Sequence, residues 1–306
     1  MNMTRQETSK SLKGIFVPVV TPFQRDGEID EGRFRENISR YAALGLAGML
    51  VAGSTGEAPY LNERERLRLV EIAREIIRPP QLLLAGTGLE STRATILLSR
   101  EAAARGADTL LLLTPAYYRP RLYPALLAAH YHTVADQVHK PILIYSIPQF
   151  TGICLLPKTV AALSRHPNIV GIKDSSGNLP YLRAVLRAVR PRFRVLVGSA
   201  LILVEALRTG ATGAVLGPAG FVPDLCLAIY HAVSEGKLRI ARQMHKRLIG
   251  LAQSIALPYG VAGIKVALDM CGYAGGFPRA PLAPLTPSER KKVTAALKEL
   301  RISLEF

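Results

Sequence analysis

The segment Ile169-Val170-Gly171-Ile172-Lys173 decides the fold class of this chain of 306 residues. Its apolar residues follow one another without polar alternation, which indicates a β-strand buried on both faces, as in a parallel sheet. Short runs of the same kind, rich in valine, isoleucine and leucine, recur at residues 15–20, 48–52, 82–85, 109–113, 142–145, 194–197 and 213–216. The chain therefore repeats one kind of buried strand along most of its length.

Amphipathic helix patterns lie between these runs. Asn62 and Glu65 form a predicted capping box, and Pro79-Pro80 ends the helix that begins there. About eight strand–helix units within roughly 220 residues predict a TIM (β/α)8 barrel over residues 1–222. A doubly wound open sheet is the alternative. However, the first run ends in Val20-Thr21-Pro22-Phe23, without the glycine-rich turn that usually follows the first strand of such a sheet.

The sequence pattern changes after the last run. Residues 223–306 contain helix signals and no convincing strand, and Thr286-Pro287 with Glu289 has the sequence of a capped helix start. We therefore expect an α/β protein in two parts: a barrel that carries the active site, and a C-terminal helical domain over residues 223–306.

Composition and charge limit the functional classes. Hydrophobic residues make up 49% of the chain and charged residues 20%, which excludes intrinsic disorder. The formal net charge of +16 is compatible with a nucleic-acid or anionic membrane surface. However, the basic residues are scattered, and their densest run, residues 183–194, is interleaved with apolar residues at helical spacing. Because no nucleic-acid-binding motif is visible, we expect no nucleic-acid partner, and an anionic small substrate fits the same charge.

The sequence also predicts the compartment and the absence of a metal. No apolar run reaches the ~18 residues that span a bilayer. Met1–Lys13 lacks the apolar core of a signal peptide, so we expect a cytoplasmic protein with no membrane partner. Cys154, Cys226 and Cys271 are odd in number and widely spaced, which argues against a disulfide framework or a zinc site. The histidines are dispersed, and we expect a site without metal or cofactor.

Two side chains at the ends of predicted strands are candidates for catalysis, because active sites of such barrels lie at the carboxyl ends of the strands. Lys173 continues a buried strand, where an ammonium ion loses its hydration. It is either a rim lysine whose head reaches solvent, or an amine kept neutral so that it attacks a carbonyl and forms a Schiff base. Tyr145 is either a core tyrosine or a proton donor at the same mouth.

Two loops are further candidates. Gly53-Ser54-Thr55-Gly56-Glu57 follows the second run. Its glycines allow close approach, and its N–H groups and hydroxyls suit a small carboxylate, although such loops are mostly simple turns. Tyr117-Tyr118 follow the fourth run and are equally typical of packing or of an interface.

Taken together, these segments resemble the dihydrodipicolinate synthase / N-acetylneuraminate lyase family of pyruvate-dependent class I aldolases over nearly the whole chain. Gly14–Phe23 is similar to the family's opening segment, and Gly53–Glu57 is similar to its carboxylate-binding loop. Tyr145-Ser146-Ile147-Pro148 is similar to the family's tyrosine motif, and Gly171-Ile172-Lys173-Asp174 to its Schiff-base lysine motif. The specificity lies in the joint occurrence of these motifs in this order.

The resemblance implies catalytic roles. Lys173 would form a Schiff base with pyruvate or another 2-oxo acid, so that no separate cofactor is needed. Tyr145 would transfer the proton during formation or cleavage of the carbon–carbon bond. Ser54 and Thr55 would bind the pyruvate carboxylate, and Thr55 would also pass protons toward Tyr145.

The resemblance further implies a pocket wall and a partner subunit. Gly198 and the carbonyl of Val215 would line the pyruvate pocket. Tyr117 would complete the proton relay from a neighbouring subunit, so a homo-oligomer is expected, either a dimer or a homotetramer.

One residue bears on the substrate. Dihydrodipicolinate synthases have an arginine just before the Thr-Gly pair, where it binds the distal carboxylate of aspartate semialdehyde, but this chain has Phe150 there. Phenylalanine cannot form that ion pair. Tyr145-Ser146 and the segment from Gly272 to Leu282 are similar to 4-hydroxy-2-oxoglutarate aldolases. The sequence therefore favours an aldolase of the 4-hydroxy-2-oxoglutarate or 2-keto-3-deoxy sugar acid type. A 4-hydroxy-tetrahydrodipicolinate (dihydrodipicolinate) synthase is the alternative.

Overall fold

Eight parallel strands close into a barrel in sequence order, and β8 pairs with β1. The computed structural model describes residues 12–302. The strands are β1 (Gly14–Pro18), β2 (Gly48–Val51), β3 (Leu82–Gly86), β4 (Thr109–Leu113), β5 (Ile142–Ser146), β6 (Ile169–Asp174), β7 (Arg194–Val197) and β8 (Gly213–Val215). Each predicted apolar run overlaps one of these strands, and the predicted TIM barrel is confirmed.

Helices follow the strands around the barrel. In the described part of the chain they are α1 (Glu31–Ala42), α2 (Glu63–Ile76), α3 (Thr92–Ala104), α4 (Pro124–Gln137), α5 (Pro148–Thr151), α6 (Pro157–Leu163), α7 (Leu179–Ala188) and α8 (Leu203–Thr209). The predicted capping box is present, because the Asn62 side chain accepts from the Glu65 N–H and the Glu65 carboxylate accepts from the Asn62 N–H. Local sequence signals thus fix where α2 begins.

The apolar core forms two layers, one inside the barrel and one between the barrel and the helices. Alternate residues of a strand belong to different layers: in β1, Phe16 packs in the inner cluster, whereas Ile15 and Val17 pack in the outer one. This is why the strands read as unbroken apolar runs, since both of their faces are covered. Tyr145 of β5 belongs to the inner cluster.

A group of helices follows β8. Its members are α9 (Pro223–Ser234), α10 (Leu238–Leu251), α11 (Leu257–Met270) and α12 (Pro287–Ile302). The C-terminal helical region is therefore present, and we keep the boundary between residues 222 and 223 as a proposal. Helix α9 packs against both α8 of the barrel and α10.

Helices α10 and α11 are continuous through a π-helical segment, Ala252–Ala256. The resulting helix, Leu238–Met270, is long and apolar enough to cross a membrane by length and composition alone, and half of its most apolar window is buried inside the fold. The sequence shows no unbroken apolar run here because Pro258, Gly260 and Lys265 interrupt it, and Gly260 has a non-helical backbone (φ 52°, ψ −137°) that kinks the helix within α11. Core helices meet the same criteria, so this helix is weak evidence for a membrane span.

Candidate active site

Lys173 and Tyr145 lie side by side on neighbouring strands. Strand β5 pairs with β6 in a register that sets Tyr145 opposite Lys173. The Lys173 Nζ lies 4.1 Å from the centroid of the Tyr145 ring, and each residue is only 4% exposed. The amine therefore lies over the ring of the phenol, and both groups are buried at the carboxyl ends of the strands, where barrels of this kind carry their chemistry.

Hydrogen bonds of Asp174 hold the end of β6 in place. Asp174 is fully buried, and its carboxylate accepts hydrogen bonds from the Ser176 N–H at 3.1 Å and the Ser176 hydroxyl at 2.9 Å. Burial raises the pKa of Asp174, and these two hydrogen bonds oppose the rise. The Asp174 carbonyl accepts from the Gly198 N–H at 2.7 Å, which ties the end of β7 to the strand that carries Lys173.

The loop after β2 brings a hydroxyl to the phenol. Ser54–Gly56 forms a 3-10 turn, and the Ser54 hydroxyl donates to the Tyr145 hydroxyl at 3.5 Å. No hydrogen bond joins Thr55 to Tyr145 among residues 12–302. A 3-10 helix turns by about a third of a circle per residue, so consecutive side chains point in different directions. The structure thus places the Ser54 hydroxyl next to the phenol.

Backbone donors of the same loop remain available. The N–H groups of Gly56 and Glu57 close the turn onto the carbonyls of Gly53 and Ser54. The N–H groups of Ser54 and Thr55 have no backbone acceptor within the described residues. Free N–H groups at the start of such a turn suit a small anion.

Gly198 lies against Lys173, and Val215 lies in the inner cluster of the barrel. A methyl group on Gly198 would lie 3.2 Å from Lys173 Cε, so the lysine packs directly against this backbone. Val215 ends β8, is 2% exposed, and belongs to the same inner cluster as Tyr145.

Tyr117 lies apart from this group within the single chain. It is 78% exposed and contacts Tyr118 edge to face, with ring centroids 5.0 Å apart. The N–H groups of Ala116 and Tyr117 both donate to the Glu90 carboxylate, at 2.9 and 2.8 Å. The loop is therefore held in place while its aromatic side chains face outward.

Phe150 is also outward-facing, on α5, with 74% exposure. The Arg119 cation lies against Gly152, two residues further along the chain. A methyl group on Gly152 would fall 2.1 Å from Arg119 Nη1, so the Arg119 guanidinium covers this glycine. No ion pair joins Arg119 to an acidic side chain within residues 12–302.

Three residues near the site carry no prediction from the sequence. Arg66 and Glu90 line a cavity of about 280 Å³ that also adjoins Ser54 and Tyr145. Lys265 is buried in α11 beside the loop after β2. The argument that singles out Lys173, a lysine within an apolar run, applies equally to Lys265 and would have found it. Among residues 12–302 no group of three or more histidine, cysteine, aspartate or glutamate side chains is placed to hold a metal ion.

Comparison with known proteins matches nearly the whole chain to one family. The model of the dihydrodipicolinate synthetase family covers residues 11–300. The 4-hydroxy-tetrahydrodipicolinate synthase of Methanothrix thermoacetophila is 35% identical over 290 residues, which cover 94% of this chain and 97% of the relative. The corresponding synthase of Geotalea daltonii is 34% identical over 95% of this chain and 99% of its own length.

Solved structures give the same picture. The 4-hydroxy-tetrahydrodipicolinate synthase of Methylacidiphilum fumariolicum SolV superposes with a TM-score of 0.90 at 31% identity, over 96% of this chain and 97% of that one. YagE is a prophage protein of E. coli K12 from the dihydrodipicolinic acid synthase family, solved in complex with pyruvate. It superposes with a TM-score of 0.89 at 30% identity, over 95% and 99% of the two chains.

Proposed function

The chain belongs to the dihydrodipicolinate synthetase family and is a pyruvate-dependent aldolase, and we propose that Lys173 is the residue that binds pyruvate covalently. The observation that carries this proposal is the packing of the buried Lys173 amine over the buried Tyr145 ring, with the Nζ 4.1 Å from the ring centroid. A lysine amine is the side-chain group that forms a Schiff base with a ketone.

The reaction then follows from the residues at hand. The neutral Nζ attacks the ketone carbon of pyruvate, water leaves, and the protonated imine that results draws electrons from the neighbouring methyl group. The water that left accepts a proton from that methyl group, which balances the proton consumed in forming the protonated imine. The methyl carbon becomes an enamine carbon, which attacks an aldehyde. The alkoxide that forms takes a proton from the Tyr145 hydroxyl. The reverse sequence cleaves the same bond.

Ser54 is the proposed proton partner of Tyr145. Its hydroxyl is the one that lies at 3.5 Å from the phenol, so it can return the proton that Tyr145 gives up. Thr55 then keeps only its part in carboxylate binding, together with the free N–H groups of the loop. Tyr117 is proposed to complete the relay in a neighbouring subunit, which requires a homo-oligomer.

For the aldehyde, the relatives favour condensation of pyruvate with aspartate semialdehyde, because those matched over their full length are named 4-hydroxy-tetrahydrodipicolinate synthases. We propose this activity first, in place of the 4-hydroxy-2-oxo acid aldolase that the sequence motifs favour. The aldolase remains the second candidate, and Phe150 is the observation in its favour.

Arg119 is the proposed binding partner of a carboxylate on the aldehyde, although position 150 holds phenylalanine and not arginine. Its guanidinium lies over Gly152, two residues from Phe150, and has no acidic partner among residues 12–302. Arg119→Ala should raise the KM for the aldehyde by about 10- to 100-fold. This is the effect of losing one charged hydrogen bond, which contributes roughly 1.5–3 kcal/mol. Pyruvate kinetics should not change. Arg121→Ala, on the same short turn Arg119–Arg121, is the matched control.

The test of the function has two steps. Treating the enzyme with pyruvate and borohydride should add one reduced pyruvyl group, located at Lys173 by peptide mass spectrometry and missing in Lys173→Ala. Product analysis with pyruvate and either aspartate semialdehyde or glyoxylate then separates the two candidates, since glyoxylate yields 4-hydroxy-2-oxoglutarate. An adduct on another lysine would refute the assignment. Prior dialysis against EDTA should leave the activity intact.

A further inference from the structure

The loop after β2 is anchored from behind by a buried ion pair. The Glu57 Oε1 lies 2.5 Å from the Lys265 Nζ, and each side chain is 1% exposed. Glu57 closes the 3-10 turn that begins at Ser54, and its backbone has φ of 58° and ψ of 36°. This left-handed conformation is unfavourable for residues other than glycine and persists only where surrounding contacts impose it.

Lys265 joins this loop to two other segments. Its ammonium donates to the carbonyls of Thr21, beyond β1, at 2.8 Å, and of Phe277, beyond α11, at 2.6 Å. The ion pair with Glu57 adds a third oxygen neighbour to the ammonium. The Thr21 hydroxyl donates to the Gly56 carbonyl at 2.7 Å, so the loop is held at two consecutive residues.

The second carboxylate oxygen of Glu57 is also occupied. The Arg279 N–H donates to Glu57 Oε2 at 2.8 Å. The Arg279 side chain in turn pairs with Glu65 of α2 at 2.6 Å. Residues that lie beyond the barrel thus determine where the loop's last residue sits.

A gain in the stability of the fold does not by itself explain the ion pair between Glu57 and Lys265. Removing two charges from water costs about as much as their attraction returns, and replacing a buried pair with neutral residues of similar size is often neutral or stabilising. What the pair does supply is a fixed position for the chain between Ser54 and Glu57. Neither side chain lines the cavity that adjoins Ser54 and Tyr145.

We propose that Glu57 and Lys265 are positioning residues for pyruvate, which hold the free N–H groups of Ser54 and Thr55 at the place where the pyruvate carboxylate binds. The inference rests on the proposed function. It makes the helices after the barrel a part of the active site, through one lysine.

The decisive variant is the neutral pair Glu57→Gln with Lys265→Met. It removes both charges with side chains of similar size, so no buried charge is left without a partner, although the carbonyls of Thr21 and Phe277 lose their lysine donor. We expect it to fold with a lower melting temperature, because the two carbonyls lose their donor, and to raise the KM for pyruvate at least tenfold, with a much smaller change in kcat. Glu75→Gln, which removes the exposed pair Arg35–Glu75, is the matched control and should change neither constant.

A second variant keeps the test informative if the neutral pair does not fold. Glu57→Asp retains the charge and shortens the side chain by one methylene, so the loop must move to keep the ion pair. It should also raise the KM for pyruvate, by severalfold. A folded variant of either kind with the parent's KM would overturn the positioning role. Failure of the parent to trap pyruvate with borohydride would instead overturn the proposed function.

Discussion

Gly198→Ala is the substitution whose effect can be worked out most directly from the structure. The added methyl group would lie 1.9 Å from Ser175 Oγ, 3.0 Å from Ser175 Cβ and 3.2 Å from Lys173 Cε. Rotating the serine hydroxyl away removes only the first of these contacts, so the backbone of β7 or the lysine stem has to shift. Overpacking of this kind costs about 1–3 kcal/mol.

That strain falls on Lys173, whose amine is the proposed site of imine formation. If it appears fully in the barrier to imine formation, the rate should fall about 5- to 150-fold. The assay is the rate of the reduced pyruvyl adduct, followed by intact mass after quenching with cyanoborohydride, together with the melting temperature. Ser175→Gly in the same background removes the closest contacts and should restore part of the rate.

A matched glycine provides the control. Gly250 is exposed within α10, and a methyl group there would meet nothing within 4 Å. Gly250→Ala should leave the adduct rate unchanged and stabilise the fold by about 0.5–1 kcal/mol, as alanine does in a helix interior. Should Gly198→Ala form the adduct at the parent rate and melt at the parent temperature, the claimed packing of Lys173 against Gly198 is wrong.

Three further outcomes are expected. Tyr145→Phe should still trap pyruvate but lose at least a hundredfold in turnover, since a general acid contributes about 10²–10⁴; full turnover would exclude the proton-transfer role. Ser54→Ala should slow turnover more than Thr55→Val does, because the Ser54 hydroxyl is the one beside Tyr145. The measurement is kcat with saturating pyruvate, and the opposite order would make Thr55 the proton relay. Burial lowers the pKa of Lys265 from 10.5 to about 8, and the Glu57 carboxylate opposes this. Between these values only the unfolded chain holds the proton, so raising the pH favours the folded state. The free energy of unfolding of the parent, measured by urea titration, should therefore rise by up to about 3 kcal/mol between pH 8 and 10.5 relative to the variant Glu57→Gln with Lys265→Met. A difference that stays constant over this range would contradict the prediction.

The fold could be predicted from the sequence because each strand is covered on both faces. A strand such as β6 carries an unbroken apolar pattern, and its repetition with helix patterns in between leaves few architectures. Lys173 and Tyr145 stand out for the same reason, as polar groups at the ends of apolar runs. Their pairing needs the register of β5 against β6, which no local pattern encodes.

Residues that act from loops were harder to place. Ser54 and Thr55 are adjacent hydroxyls, and only the direction of the 3-10 turn decides which one meets Tyr145. Arg119 and Gly152 come together from different loops, and the sequence separates them by more than thirty positions. Lys265 is recognisable as a buried lysine, but its partner Glu57 lies at the other end of the chain.

The register between β5 and β6 also limits how this enzyme can change over time. A single insertion or deletion in either strand would turn Lys173 or Tyr145 out of the barrel, because side chains alternate along a strand. The turns that carry Arg119 and Phe150 lie outside those strands, so substitutions and length changes there leave the amine and the phenol where they are. Selection for a new aldehyde can therefore act on the barrel's rim while the bond-making chemistry below stays unaltered.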